Sequence, residues 1–179
     1  MLGVESAVLI LVDFQEKLVR AMFDRETVVQ EAVKLVKGAQ ALGLPILRTE
    51  QNPEGLGPTI PELKQLLQGS APVTKLSFSC CGEQAFLKKL EELEPEQVII
   101  AGLESHVCVY QSVLDLLEMV SEVHVVADAV SSRTQLNKQI GLDRCLQEGA
   151  FVTSVETVLF ELLGVAEGEE FKQILKIVK

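Results

Sequence analysis

The sequence predicts an α/β fold, a parallel sheet covered by helices on both faces. Three observations carry this. Short apolar runs alternate with longer stretches of helical period along the 179 residues. Most of the runs are β-branched and lack clean polar alternation, as strands buried on both faces do. The helical stretches close on Gly or Pro stop signals. Such alternation builds a helix–sheet–helix sandwich, and right-handed crossovers fix most of its topology.

In chain order, "AVLILV" (7–12) is the first strand. Residues 25–42 carry Val28, Val29, Ala32, Val33, Leu35, Val36, Ala39 and Leu42 near a 3.6-residue period. Asp24 is placed to cap that helix, and Gly43 and Pro45 end it. "LPILRT" (44–49) is the second strand. "TEQNPEGLGPTIP" (49–61) reads as an active-site loop, and "TIPE" (59–62) as a capping box of Thr59 with Glu62. "APVT" (71–74), "QVIIAGL" (97–103), "EVHVVA" (122–127) and "AFVTS" (150–154) are further strands. Helices are expected over 83–92, 106–120 and 134–148. "TSVE" (153–156) forms a second capping box, opening a helix to Leu163. The last helix carries Phe171, Ile174, Leu175 and Val178 on one face. No linker divides the chain, so 1–179 reads as one domain.

Hydrophobic residues make up 47% of the chain, which excludes a disordered polymer. The net charge of -10 disfavours nucleic acid and anionic membranes as partners. No apolar run approaches the ~18 residues of a membrane span. The first residues lack the basic start and cleavage site of a signal peptide. A cytoplasmic protein is expected. Its four cysteines, Cys80, Cys81, Cys108 and Cys145, are then reduced thiols, and their spacing fits no zinc pattern.

In this fold class the residues just past the strand ends converge on one rim. There the sequence places Asp13, Phe14 and Gln15 after the first strand, Lys75 after the third and Cys108 after the fourth. A helix start favours thiolate at Cys108. Asp13 is the candidate proton acceptor, and Lys75 the cation that keeps Asp13 ionised. Backbone N–H groups at the helix start are candidates to hold an oxyanion. Each residue has a plainer reading: Cys108 as core packing, Asp13 as a cap, Lys75 as a surface charge.

"VDFQ", a Lys after the third strand and "AGLESHVCV" together resemble the isochorismatase-like cysteine hydrolases over nearly the whole chain. "ILRTEQNPEGLGPTIPEL" and "VHVVADAVSSR" resemble the isochorismatase-domain-containing subgroup. The resemblance implies a Rossmann-like six-stranded parallel sheet of order 3-2-1-4-5-6 and an Asp13–Lys75–Cys108 triad. It implies a cis peptide at Leu103–Glu104 and an oxyanion hole from the N–H groups of Glu104 and Cys108. Nicotinamidases of this superfamily carry an Asp-x-His metal site after the second strand. "TEQNPEGLG" has no His, so no metal or other cofactor is expected. Isochorismatases of siderophore pathways lack the cysteine, so Cys108 favours thiol chemistry on an amide-like carbon. The family generally associates, and a homo-oligomer is expected.

Gln51, Phe78, His106, Tyr110, Phe14 and Gln15 are pocket candidates, Gln15 first because it follows the first strand. His106 as a base for Cys108 is disfavoured, since residues two apart do not share a helix face. His124 reads as a sheet residue and Cys145 as buried. Cys80 and Cys81 could reach the pocket or pack a helix start. Asp128 and Ser131–Arg133 read as loop-fixing, with Arg133 a candidate for a substrate or interface contact. The competing class is a non-catalytic thiol sensor on the same scaffold. A nucleotide-binding protein is excluded by "DFQEKL", which is no Gly-rich phosphate turn.

Overall fold

The computed structural model describes residues 1–179. Its strands are β1 (Ala7–Val12), β2 (Ile46–Gln51), β3 (Val73–Lys75), β4 (Gln97–Leu103), β5 (Glu122–Ser131) and β6 (Phe151–Thr153). They form one parallel sheet in the order β3-β2-β1-β4-β5-β6. The order matches the expected one.

Alternate side chains of each strand enter opposite layers. Leu9, Leu11, Ile99 and Leu103 pack under α2 (Arg25–Ala41), α4 (Pro61–Leu66), α8 (Val155–Leu163) and α9 (Gly168–Val178). Val8, Ile10, Val12, Val98 and Ile100 pack under α5 (Gln84–Leu93), α6 (Tyr110–Leu117) and α7 (Gln135–Gln147). Burial on both faces is why β1 and β4 read as unbroken apolar runs. The chain reverses its winding between these two strands, and that switch point is where α/β sheets place ligands.

Several local expectations are corrected. A short helix, α1 (Glu16–Ala21), precedes α2, and the short turn α3 (Pro53–Leu56) interrupts the loop expected over 49–61. Asp24 makes no cap bond to α2; its carboxylate accepts from Ser131 Oγ and pairs with Lys138 Nζ at 2.9 Å. The first capping box does not form, because Thr59 donates its N–H and hydroxyl to Glu50 Oε1 at 2.7 and 2.6 Å. The second is shifted by one residue: Ser154, not Thr153, caps α8 by accepting from Thr157 N. The helix expected over 106–120 begins as a π-helical turn, Ser105–Val109, and continues as α6.

Every peptide bond is trans, so the expected cis bond at Leu103–Glu104 is absent. The sharp turn comes instead from Glu104 in the left-handed region, at φ 56° and ψ 62°. Asp13 does the same after β1, at φ 56°. Two acids in a rarely populated conformation thus end the two central strands. Between them a Cβ on Gly102 would lie 2.6 Å from Val12 Cβ and 2.7 Å from Val12 O. Only glycine lets β1 and β4 approach this closely.

Candidate active site

Register builds the site. Thr49 on β2 lies opposite Val12, and Lys75 on β3 lies opposite Gln51. β3 and β1 are two strand spacings apart, about 10 Å. A side chain as long as lysine is needed to cross that gap from β3. Lys75 does so: Nζ reaches Asp13 Oδ2 at 2.7 Å, with both side chains fully buried. Its hydrogens are directed to Gln51 Oε1 at 2.7 Å, Phe78 O at 2.9 Å and Ser77 O at 3.2 Å. Three acceptors for three hydrogens satisfy the ammonium without spending a hydrogen bond on Asp13.

Asp13 Oδ1 accepts from Thr49 Oγ1 at 2.8 Å, while Oδ2 has no aligned donor. That open acceptor belongs to a carboxylate lying beside the Cys108 thiol. Burial pushes the Cys108 pKa up to about 12, and the Asp13 charge and contact push the same way against the opposing pull of Lys75. At neutral pH Cys108 is therefore a protonated thiol, where the helix start led us to expect thiolate. Here desolvation outweighs the helix start.

Cys80 lies in the same cluster, fully buried, with Sγ 3.8 Å from Thr49 Oγ1. Burial, then Asp13, raises its pKa to about 11. The Cys80 N–H donates to Ser112 Oγ at 2.9 Å, and Ser112 donates to the Cys108 carbonyl at 2.7 Å. These bonds tie the segment after Lys75 to the turn that carries Cys108. Cys81 and Cys145 are buried thiols, each pushed up to about 12, chiefly by burial.

The other pocket candidates separate. Phe14 packs in the core layer beneath α2, and Gln15 is fully buried as a strut. Gln15 accepts from Gln51 N at 2.7 Å and donates to Gln51 O at 3.0 Å and Gly57 O at 2.6 Å, holding the loop after β2. Gln51 holds Lys75 and donates to Leu76 O at 2.9 Å. Phe78 is half exposed beside the cluster. Tyr110 stacks under Arg144 of α7 with its hydroxyl toward Arg144 and Glu148. His106 Nδ1 lies 3.0 Å from Ser132 Oγ and 3.4 Å from Glu104 Oε2. His124 stacks on Phe151 within the sheet. Asp128 lies inside β5 and accepts from Val155 N at 2.9 Å.

The turn bearing Cys108 is pinned from outside. Ser105 Oγ meets Ser132 Oγ at 2.7 Å, and a Cβ on Gly141 would sit 2.6–2.7 Å from the Ser105 and His106 backbone. The Glu104 N–H donates to no other group of the protein. Hollows of about 540 Å³ beside Val19 and Val29 and about 480 Å³ beside Leu87 and Met119 include none of Asp13, Lys75 and Cys108. Cys108 itself is 5% exposed.

The isochorismatase domain family matches residues 7–157. This chain belongs to the isochorismatase family. It is 42% identical over 179 residues to isochorismatase domain-containing protein 2 of Danio rerio, covering 99% of this chain and 89% of that one. The MAR1 ribonuclease structure from Caenorhabditis elegans superposes with a TM-score of 0.93 at 33% identity, over 99% of this chain and 91% of that one. YcaC from Pseudomonas aeruginosa, seen with covalent acrylamide, gives 0.92 at 26%, over 98% and 90%. YcaC from Escherichia coli, an octameric hydrolase of unknown specificity, gives 0.93 at 25%, over 98% and 88%. Family membership supports a hydrolase role. No helix is long and apolar enough to cross a membrane.

Thr49 and the bracing residues Ser105, Ser112 and Gly141 were not singled out from sequence, whereas Ser132 was read as loop-fixing. Thr49 was within reach, because it ends a strand on the same rim. The others act through contacts between distant segments that no local pattern encodes.

Proposed function

We propose that this chain is a metal-independent cysteine hydrolase of a small amide-like substrate, working through Asp13, Lys75 and Cys108 with a covalent intermediate. The observation that carries the reading is the fully buried Lys75–Asp13 pair at 2.7 Å beside the Cys108 thiol, at the sheet's switch point. A fully buried ion pair is a poor stabiliser compared with apolar packing, so its presence in a core calls for a functional reason.

Asp13 takes the thiol proton as Sγ attacks the carbonyl carbon. The C–S bond forms and the carbonyl electrons move to oxygen. Backbone N–H groups at the turn receive that oxyanion, with the unpaired Glu104 N–H and that of Cys108 in this role. Collapse breaks the C–N bond, and the amine leaves with the proton from Asp13. Water, deprotonated by Asp13, then cleaves the thioester, and the released thiol recovers the proton. Lys75 stays charged throughout and keeps Asp13 a base.

The donor set supports a reading without a metal step: no three His, Cys, Asp or Glu side chains are arranged so that they could hold a metal ion. The covalent acrylamide on the Pseudomonas neighbour supports a reactive nucleophile in this fold. The net charge of -10 argues against a polyanionic substrate such as RNA. Thiols held protonated argue against the sensing alternative. The octameric neighbour supports a homo-oligomer, which sedimentation would test.

An amide panel with ammonia detection and intact-mass analysis tests the proposal. Wild-type protein should release ammonia and form an acyl adduct on Cys108; Cys108→Ala should do neither. Undiminished turnover by Cys108→Ala would overturn the covalent mechanism.

A further inference from the structure

Resting on the hydrolase reading above, we infer that Thr49 is a positioning residue of the reaction: its hydroxyl sets the rotation of the Asp13 carboxylate beside the Cys108 thiol. Thr49 lies on β2 opposite Val12, the residue before Asp13, and is 1% exposed. Its Oγ1 donates to Asp13 Oδ1 at 2.8 Å. A carboxylate only accepts, so the single hydroxyl hydrogen points to Asp13. Oγ1 also meets the Cys80 sulfur at 3.8 Å. With the hydroxyl hydrogen committed, the Cys80 thiol is the donor at that contact. Cys80 is fully buried with its pKa raised to about 11, so it keeps its proton at neutral pH. The chain from Cys80 through Thr49 therefore runs in one direction and ends on Asp13.

Lys75 does not supply this orientation. Its Nζ lies 2.7 Å from Asp13 Oδ2, but its hydrogens are directed to Gln51, Ser77 and Phe78. The ammonium acts on Asp13 as a point charge, which holds a carboxylate close without fixing its plane. An aligned hydrogen bond does fix the plane. Oδ2 receives no aligned bond, so the Thr49 hydroxyl is the directional contact of the Asp13 side chain.

Two effects oppose each other when the hydroxyl is lost. The freed carboxylate is a better proton acceptor, because a donor to its charged form is gone. Brønsted behaviour turns that into only about a few-fold gain in rate. A base turned out of line loses more, up to about a hundredfold for a displacement of about 1 Å. Alignment wins, and the expected net loss is roughly tenfold.

Acrylamide, held covalently by the Pseudomonas neighbour, is a neutral probe of the proton-transfer step. Sγ adds to its β-carbon, the C=C π bond breaks, and the thiol proton passes by way of Asp13 to the α-carbon. Peptide mass mapping follows the rate at Cys108. Thr49→Val keeps the β-branched shape and should slow modification about tenfold. Thr49→Ser keeps the hydroxyl, loses the methyl group and should stay within about threefold of wild type. Packing alone predicts the opposite order. In an Asp13→Asn background Thr49→Val should add no further loss, since the group it positions is gone. Wild-type rates in Thr49→Val, or an equal further loss on top of Asp13→Asn, would overturn the role of Thr49 and leave the hydrolase reading standing. A Cys108 that acrylamide leaves unmodified in the wild-type protein would overturn both.

Discussion

Two acid–base pairs end the two central strands, and they are built alike up to the last atom. Asp13 and Glu104 each follow a buried strand, each at φ 56°, and each is paired with a basic side chain from another segment of the chain. Asp13 meets Lys75 with nothing exposed, whereas Glu104 meets an arginine that is 61% exposed. The enclosed pair can only set the charge next to Cys108. The open pair has donors left over and can meet something from outside. The same backbone device thus encloses one ion pair and leaves the other open to solvent.

Breaking the enclosed pair should have the largest effect. Asp13→Asn removes the proton acceptor and should lower kcat by roughly 10⁴-fold or more, on the scale of losing a member of a catalytic unit. Steady-state kinetics on any substrate found by the amide panel would check this. A loss of only a few fold would mean that another base serves Cys108.

Lys75→Met should cost about 3–5 kcal/mol in denaturant unfolding, because it strands a buried carboxylate. Asp13→Asn with Lys75→Met should recover much of that loss without recovering activity. A double variant as unstable as the single one would show that lysine packing, not charge, matters.

The turn shared by the two pairs comes next. Gly141→Ala forces a methyl group to within 2.7 Å of the Ser105 and His106 backbone. It should cost about 1–3 kcal/mol by overpacking and reduce kcat with it. Unfolding and kinetics that stay at wild-type values would show that α7 can retreat.

Stability should also fall as pH rises. The four thiols have folded pKa values of about 11 to 12 against a reference of 9.0. Between those limits the unfolded chain releases protons that the folded one keeps, so the stability present below pH 9 is lost on going upward. Denaturant melts at pH 8, 9 and 10 should show a falling midpoint, and a flat profile would contradict the buried thiols. The smallest effect belongs to the open pair: Arg133→Gln should change fold stability by less than about 1 kcal/mol.

The sheet was legible because β1 and β4 are apolar on both faces, and the meeting of Asp13, Lys75 and Cys108 because these residues stand at strand ends. The turn at Glu104 was less so. A left-handed glutamate looks ordinary in sequence, and the cis bond implied by resemblance is replaced by that conformation. The raised pKa of Cys108 was hidden for a similar reason. A helix start is a local signal, whereas burial under α7 and beside Asp13 is a product of the whole fold. Gln15 was read as a pocket residue from its position, and only the path of the loop after β2 explains why its amide is fully used.

The order of strands in the sheet also sets an order in time. Asp13, Thr49, Gln51 and Lys75 all lie on the contiguous half β3-β2-β1, which is synthesised before β4 and the turn after it. At about 5–20 residues per second, Cys108 leaves the ribosome a few seconds after Lys75. Asp13 and Lys75 can therefore be paired before Cys108 exists. Nascent chains stalled just before β4 should already shield Lys75 from acylating reagents. A fully reactive Lys75 at that stage would mean that the pair waits for the second half of the sheet.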